Sequence, residues 1–210
     1  MRRTRKLTYL TVVVALLLSS SVAASATSWE RADIVGQGAD GPTVAVDGAA
    51  ILRTGNGLTV RMSMPTPEPG SYQYSSSPTA NNEAGRPEAF TIWVFIFYNP
   101  EACDGPCDEP DIAHKDDVVA GAYNAGGHFV AGPNLSITGH VNHQSKVFPP
   151  PGATSELETL GEALAMGYDI DDAQVHLAIA PHGALDPELL PQQISTPAGP
   201  PSLWWLAFFK

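Results

Sequence analysis

Three groups of side chains in this sequence could do chemistry: a cysteine pair, an acidic loop and five of the six histidines. Cys103 and Cys107 are separated by Asp104-Gly105-Pro106, a stretch able to fold back on itself. In an oxidising compartment they are expected to form a disulfide. So small a ring adds only about 2 kcal/mol through loop entropy, so its work would be local pinning. The rival redox or metal reading wants the two-residue spacing of thioredoxin-like and zinc motifs, which this pair lacks.

The same loop carries Asp104, Asp108, Glu109, Asp111, Asp116 and Asp117. Crowded carboxylates repel one another, and a hard cation such as Ca²⁺ would relieve that. The spacing follows no EF-hand pattern, so a simply solvated acidic loop is the plainer alternative. Of the histidines, His128, His140 and His176 fall on expected strands, and His143 and His182 sit just past strand ends. His140 and His176 each stand on the polar side of an alternating strand. If those strands pair, two imidazoles meet on one sheet face and, with His128 or His143, could hold zinc or copper. Surface or rim histidines are the bland alternative. No GxSxG elbow is present, and nothing singles out a catalytic carboxylate pair among 22 acidic residues.

The elements that must position these groups read as β-structure. Phe90 to Tyr98, FTIWVFIFY, is β-branched and aromatic almost throughout, closed by Asn99-Pro100. Both faces of such a strand are apolar, so it belongs inside a packed sheet. Leu58, Val60, Met62 and Met64 alternate with polar residues, as do Leu135, Ile137 and Val141, and Val175, Leu177 and Ile179. Thr43–Val46 and Ala49–Arg53 read as a hairpin across Asp47-Gly48, and Val118–Tyr123 and His128–Val130 as another across Asn124 to Gly127. Thr54-Gly55-Asn56-Gly57 supplies a tight turn. Residues 65–87 read as a Pro/Ser/Gly/Asn-rich surface loop, where Tyr72 and Tyr74 could form an edge strand or a sugar platform. Ser155 and Glu158 suggest a capping box for one helix carrying Leu157, Leu160 and Leu164, which Gly167 ends. Asp186-Pro187 would begin a helical turn. Leu203–Phe209 is a final core strand, expected beside Phe90–Tyr98. The fold class is all-β: an antiparallel β-sandwich or barrel-like single domain with one or two short helices.

The chain opens with Arg2, Arg3, Arg5 and Lys6, then Leu7 to Leu18, then small residues ending at Ala24-Ser25-Ala26. This is the pattern of a signal peptide over 1–26, followed by a lead-in at 27–42 and one β-rich domain at 43–210. Four of the 11 basic residues would leave with the signal while all 22 acidic ones stay, taking the net charge from −11 to −15. Such a surface repels phosphate backbones, which argues against a nucleic-acid partner. The final seven-residue apolar run is too short to span a bilayer.

Ala173 to Thr196 resembles a segment recurring in secreted bacterial proteins of unknown function: a Val-His strand, a His-Gly and a later Gln. The matching residues are Val175, His176, His182, Gly183, Gln193 and Thr196. The resemblance covers about the last sixth of the domain and implies no activity. A fainter likeness to chordin-type domains, whose strands carry His near a His-Gly, implies a β-sandwich. The expectation is a secreted, non-catalytic binding or structural module with no resident cofactor, of the extracellular space or cell envelope. The alternative is a metal-binding protein using the histidines or the acidic loop, from which a metal-dependent enzyme could arise.

Overall fold

The computed structural model describes residues 28–114, 117–149 and 157–210. The expected signal peptide, Asp116 and Ser155 lie outside the described residues. Eight strands form one antiparallel sheet: β1 (Glu30–Val35), β2 (Thr43–Thr54), β3 (Gly57–Pro65), β4 (Glu88–Phe97), β5 (Ala120–Val130), β6 (Asn134–Asn142), β7 (Gln174–Ala184) and β8 (Trp205–Phe209). Their order is β5-β4-β7-β8-β1-β2-β3-β6, and the two end strands β5 and β6 approach each other. The sheet is therefore a nearly closed barrel and not a two-layer sandwich. Two short α-helices, α1 (Glu109–His114) and α2 (Leu160–Ala165), accompany it among the described residues.

The interior follows the period-two rule. Leu58, Val60, Met62 and Met64 of β3 point inward, with Leu135, Ile137 and Val141 of β6 and Val175, Leu177 and Ile179 of β7. From β4 come Phe90, Ile92, Val94 and Ile96. Leu157 and, from α2, Leu160 and Ala163 join the same core, and Gly167 at φ +95° turns the chain away behind the helix. Thr159 occupies the N-cap position of α2, and Glu162 Oε2 accepts from the Glu158 N–H at 2.7 Å.

Several expectations are corrected here. Residues 27–42 are more than a lead-in, since β1 lies within them and joins β2 to β8. Asp47-Gly48 is not a hairpin turn: β2 runs straight through it. Against β1, the pairing jumps from Ala32↔Ala49 to Ile34↔Ala45, so extra residues bulge out on β2. Asp47 takes up φ +50°, and its N–H donates to Asp33 Oδ1 at 2.9 Å. Likewise, β5 passes through Asn124 to Gly127 unbroken, with Ala125 bulged between Asn124↔Trp93 and Gly126↔Ile92. Turn-favouring residues tolerate the same positive φ that a bulge demands, which is why both bulges look like turns in sequence. The real hairpin is at Gly55-Asn56, where Thr54 pairs with Gly57. β8 is not beside β4; β7 lies between them and pairs with both. No strand forms at Tyr72–Tyr74.

The β5–β6 seam rests on a close approach. A Cβ on Gly139 of β6 would lie 2.1 Å from the carbonyl oxygen of Ala125, the bulged residue of β5. Gly139→Ala should therefore force the seam open and lower stability by about 1–3 kcal/mol, read as a lower urea midpoint. An unchanged midpoint would show that the seam gives way freely.

Candidate functional site

β4 is buried on its outer face as well as its inner one, so the barrel carries an outer cover. Trp93 packs outside with Ala178, Ala180, Trp204 and Leu206, and Phe148 sets its ring edge-on to Trp93. Farther along, Phe97 lies beneath Cys107 and Ala120, with Cys103 and Ile112 packed alongside. Cys103 and Cys107 are joined in a disulfide, Cα to Cα 5.3 Å. The bridge thus folds a loop over the apolar outer face of the central strand.

Between that loop and the 37–41 turn the cover is incomplete and leaves an open groove of about 880 Å³. Its floor is Phe95, Phe97, Leu206 and Phe208, with His176 at the centre. Strand register places His176 directly between Phe95 of β4 and Phe208 of β8. The imidazole lies 5.0 Å from the Phe97 ring and 4.7 Å, edge-on, from that of Phe208. Phe208 is 41 % exposed, whereas His176 is only 8 % exposed.

Gln174 orients the histidine. Its Oε1 accepts from the Cys107 N–H and its Nε2 donates to the Cys107 carbonyl, both at 3.4 Å. That contact sets the amide orientation, so Nε2 also donates to His176 Nε2 at 2.6 Å. The imidazole proton then sits on Nδ1, and the ring is neutral. Burial lowers the His176 pKa to about 4, which agrees. The disulfide loop is in this way tied to the histidine through one glutamine.

His182 performs a different task. Trp93 Nε1–H donates to Thr91 Oγ1 at 2.9 Å, the Thr91 hydroxyl to His182 Nε2 at 2.9 Å, and His182 Nδ1–H to the Thr79 carbonyl at 3.3 Å. Every polar atom of this chain of bonds has a partner, and burial holds His182 neutral with a pKa of about 4. Gln193, fully buried, donates to the carbonyls of His182 and Ala184 and accepts from the Asp186 N–H. Gly183, at φ +75°, lies so close to Asn81 O that a Cβ would sit 1.7 Å away. His182, Gly183 and Gln193 thus form one structural knot at the end of β7. As expected, Asp186 caps the turn after it, its Oδ1 accepting from the Glu188 N–H at 2.9 Å.

The five histidines are not gathered. His140 is on the outer face of β6, hydrogen-bonded to Thr59 at 3.0 Å, and β6 and β7 are not neighbours, so His140 and His176 do not meet. His128 and His143 are exposed on other elements. His176 is not on a wet face because β7 is buried on both sides. Among the described residues, the one cluster at metal-ligand separation is Cys103, Cys107 and Asp111, and its sulfurs are committed to each other.

The calcium set is also dispersed among the described side chains. Asp108 Oδ1 accepts from the Asp111 N–H at 3.3 Å and Asp111 Oδ2 from the Asp108 N–H at 2.9 Å, a reciprocal cap on α1. Asp104 and Asp117 are exposed. The Glu109 side chain lies outside the described part.

Glu88 is a residue that sequence reasoning missed, though a charge adjoining so apolar a strand was itself a signal. It is 1 % exposed at the barrel mouth, where its carboxylate lies close to the Tyr72 and Tyr74 hydroxyls without a well-formed hydrogen bond to either. Burial raises its pKa, against the opposing influence of the nearby Tyr72 and Tyr74 hydroxyls and Arg86. Tyr72 turns its ring toward Trp205, 4.9 Å away, and is no exposed platform.

Comparison with protein-family models, curated proteins and solved structures finds no match for this chain.

The titrations act on stability with opposite signs. For His176 and His182 the folded value near 4 lies below the ordinary 6.5. The unfolded chain therefore binds protons first, and stability that is complete above 6.5 is lost as pH falls toward 4, at most about 3 kcal/mol per histidine. In His182→Gln the urea midpoint should fall less between about pH 7.5 and 5 than in the wild type. For Glu88 the folded value is raised, so its contribution is present below the ordinary 4.5 and lost as pH climbs. Glu88→Gln should raise the midpoint at about pH 7.5 and change it little near pH 4. A lower midpoint at the higher pH would mean that the carboxylate is well paired after all.

Proposed function

We propose that this protein is a secreted, non-catalytic binding module whose outer-face groove takes an uncharged, largely apolar molecule bearing one hydrogen-bond acceptor. The observation that carries the reading is the aromatic floor of Phe95, Phe97 and Phe208 around a buried, neutral His176. Ligand sites are typically concave, mostly apolar and equipped with few polar groups, at volumes of roughly 300–1,000 Å³. With Nε2 engaged by Gln174, the ring offers its Nδ1–H, which has no hydrogen-bond partner among the described residues. Asp40 and Asp108 outnumber Lys210, the one cationic side chain in the lining, and so disfavour an anion, and the apolar floor disfavours a cation.

Binding is favoured over catalysis by the company that His176 keeps. A general base needs an orienting acceptor and a nucleophile within reach, whereas this imidazole is held by an amide and enclosed by rings. Secretion rests on the charged-then-apolar beginning of the chain and on the disulfide, which persists in oxidising compartments.

Nile red, a neutral apolar fluorophore, tests the groove directly. Fluorescence should rise to saturation at one equivalent of purified protein. Phe208→Glu, at an exposed position, should abolish the rise while leaving the circular dichroism unchanged. Equal binding by that variant would remove the groove as the site.

A further inference from the structure

The opposite side of the barrel has a different character. β1, β2 and β3 leave their outer face to water, and strand register aligns Arg31, Ala50 and Arg61 in one row across them. Both arginines are exposed while Ala50 is 7 % exposed, so the row is a hollow with a guanidinium on each bank. Trp29 continues the same face two residues before Arg31, and Ser63 two residues after Arg61. These residues, with Asp47, line a trough of about 480 Å³.

Exposed arginines are common, and what decides the matter is their lack of partners in so acidic a chain. It carries 22 acidic and 11 basic residues. Arg53 pairs with Glu30 at 2.7 Å and Arg86 with Glu68 at 2.9 Å. Arg31 and Arg61 make no ion pair or side-chain hydrogen bond among the described residues. Their backbones are two strand spacings apart, roughly 10 Å, close enough for both side chains to close on one carboxylate above Ala50.

The remaining lining narrows the ligand. Trp29 is 46 % exposed, while Trp93, Trp204 and Trp205 are buried. An exposed indole beside a trough offers a flat apolar face, and Asp47 and Ser63 offer partners for hydroxyl groups. A purely acidic peptide would satisfy the arginines, but it offers neither a ring face to Trp29 nor hydroxyl groups to Asp47 and Ser63. A hydroxylated ring carrying one carboxylate suits all five side chains. We propose that this trough binds a uronic-acid residue of an acidic oligosaccharide. The carboxylate lies between Arg31 and Arg61, the ring against Trp29, and the hydroxyls toward Asp47 and Ser63. The site is separate from the groove around His176 and does not depend on it.

Because the other three tryptophans are buried, acrylamide quenching of the folded protein reports chiefly on Trp29. Titration with a short oligogalacturonate at low salt should protect the fluorescence to saturation. Arg31→Gln and Arg61→Gln should each weaken binding by about tenfold or more, and added salt should weaken it further. The fully methyl-esterified oligomer, with the same rings and no charge, should not protect. Phe208→Glu should bind as the wild type does. The proposal is overturned if millimolar oligogalacturonate gives no protection, if the ester protects equally, or if both arginine variants bind like the wild type. Equal binding of polyglutamate would also overturn it, making the trough an acidic-peptide surface.

Discussion

The structure depends on one constraint: β4 is apolar on both faces and must be kept from water on both. A small barrel ordinarily solves only half of that problem, filling its interior and leaving its exterior wet. Here Phe90, Ile92, Val94 and Ile96 are satisfied by the barrel core, and Trp93, Phe95 and Phe97 are not. At roughly 1.5–3 kcal/mol for each large side chain, exposing that second row would forfeit much of a domain's net stability. The outer cover answers this need. Trp204 and Phe148 lie over Trp93, the disulfide loop lies over Phe97, and Thr91 is matched by His182.

Seen this way, the disulfide contributes less through loop entropy than through the position it gives Cys107 and Ile112 above Phe97. The Gln174 amide then ties that loop to β7 and sets the tautomer of His176. The groove is where two pieces of the cover fail to meet. That is also why its floor is aromatic, since it is the exposed remainder of a surface that elsewhere is sealed.

The strands were largely legible because period-two patterning reports which face meets the core. It told the inner faces of β3, β6 and β7 correctly. It misread the outer face of β7 as polar, since His176 looks polar in a pattern yet is buried as a neutral, hydrogen-bonded group. It also could not separate bulge from turn at Asp47 or Asn124, where the local backbone demand is shared. Strand order escaped it entirely: β1 is short and weakly apolar, and only its placement between β2 and β8 makes it a strand. The cysteine bridge was readable from its spacing. The groove was not, because Phe95, His176 and Phe208 come from three strands far apart in sequence.

The two sides of the barrel differ for a reason that begins in composition. β4, β7 and β8 carry apolar residues at consecutive positions, so their outer face acquires a cover, and recognition there is governed by the gap in it. β2 and β3 put mostly alanine, glycine, serine and arginine outside, with Val46 the one large apolar side chain exposed on them. No cover is needed on that side, and whatever it recognises must be drawn by charge and by the single exposed indole of Trp29. The small side chain of Ala50 matters most in this respect. A larger residue would fill the hollow and hold the two guanidinium groups apart, whereas alanine leaves them a common space to share.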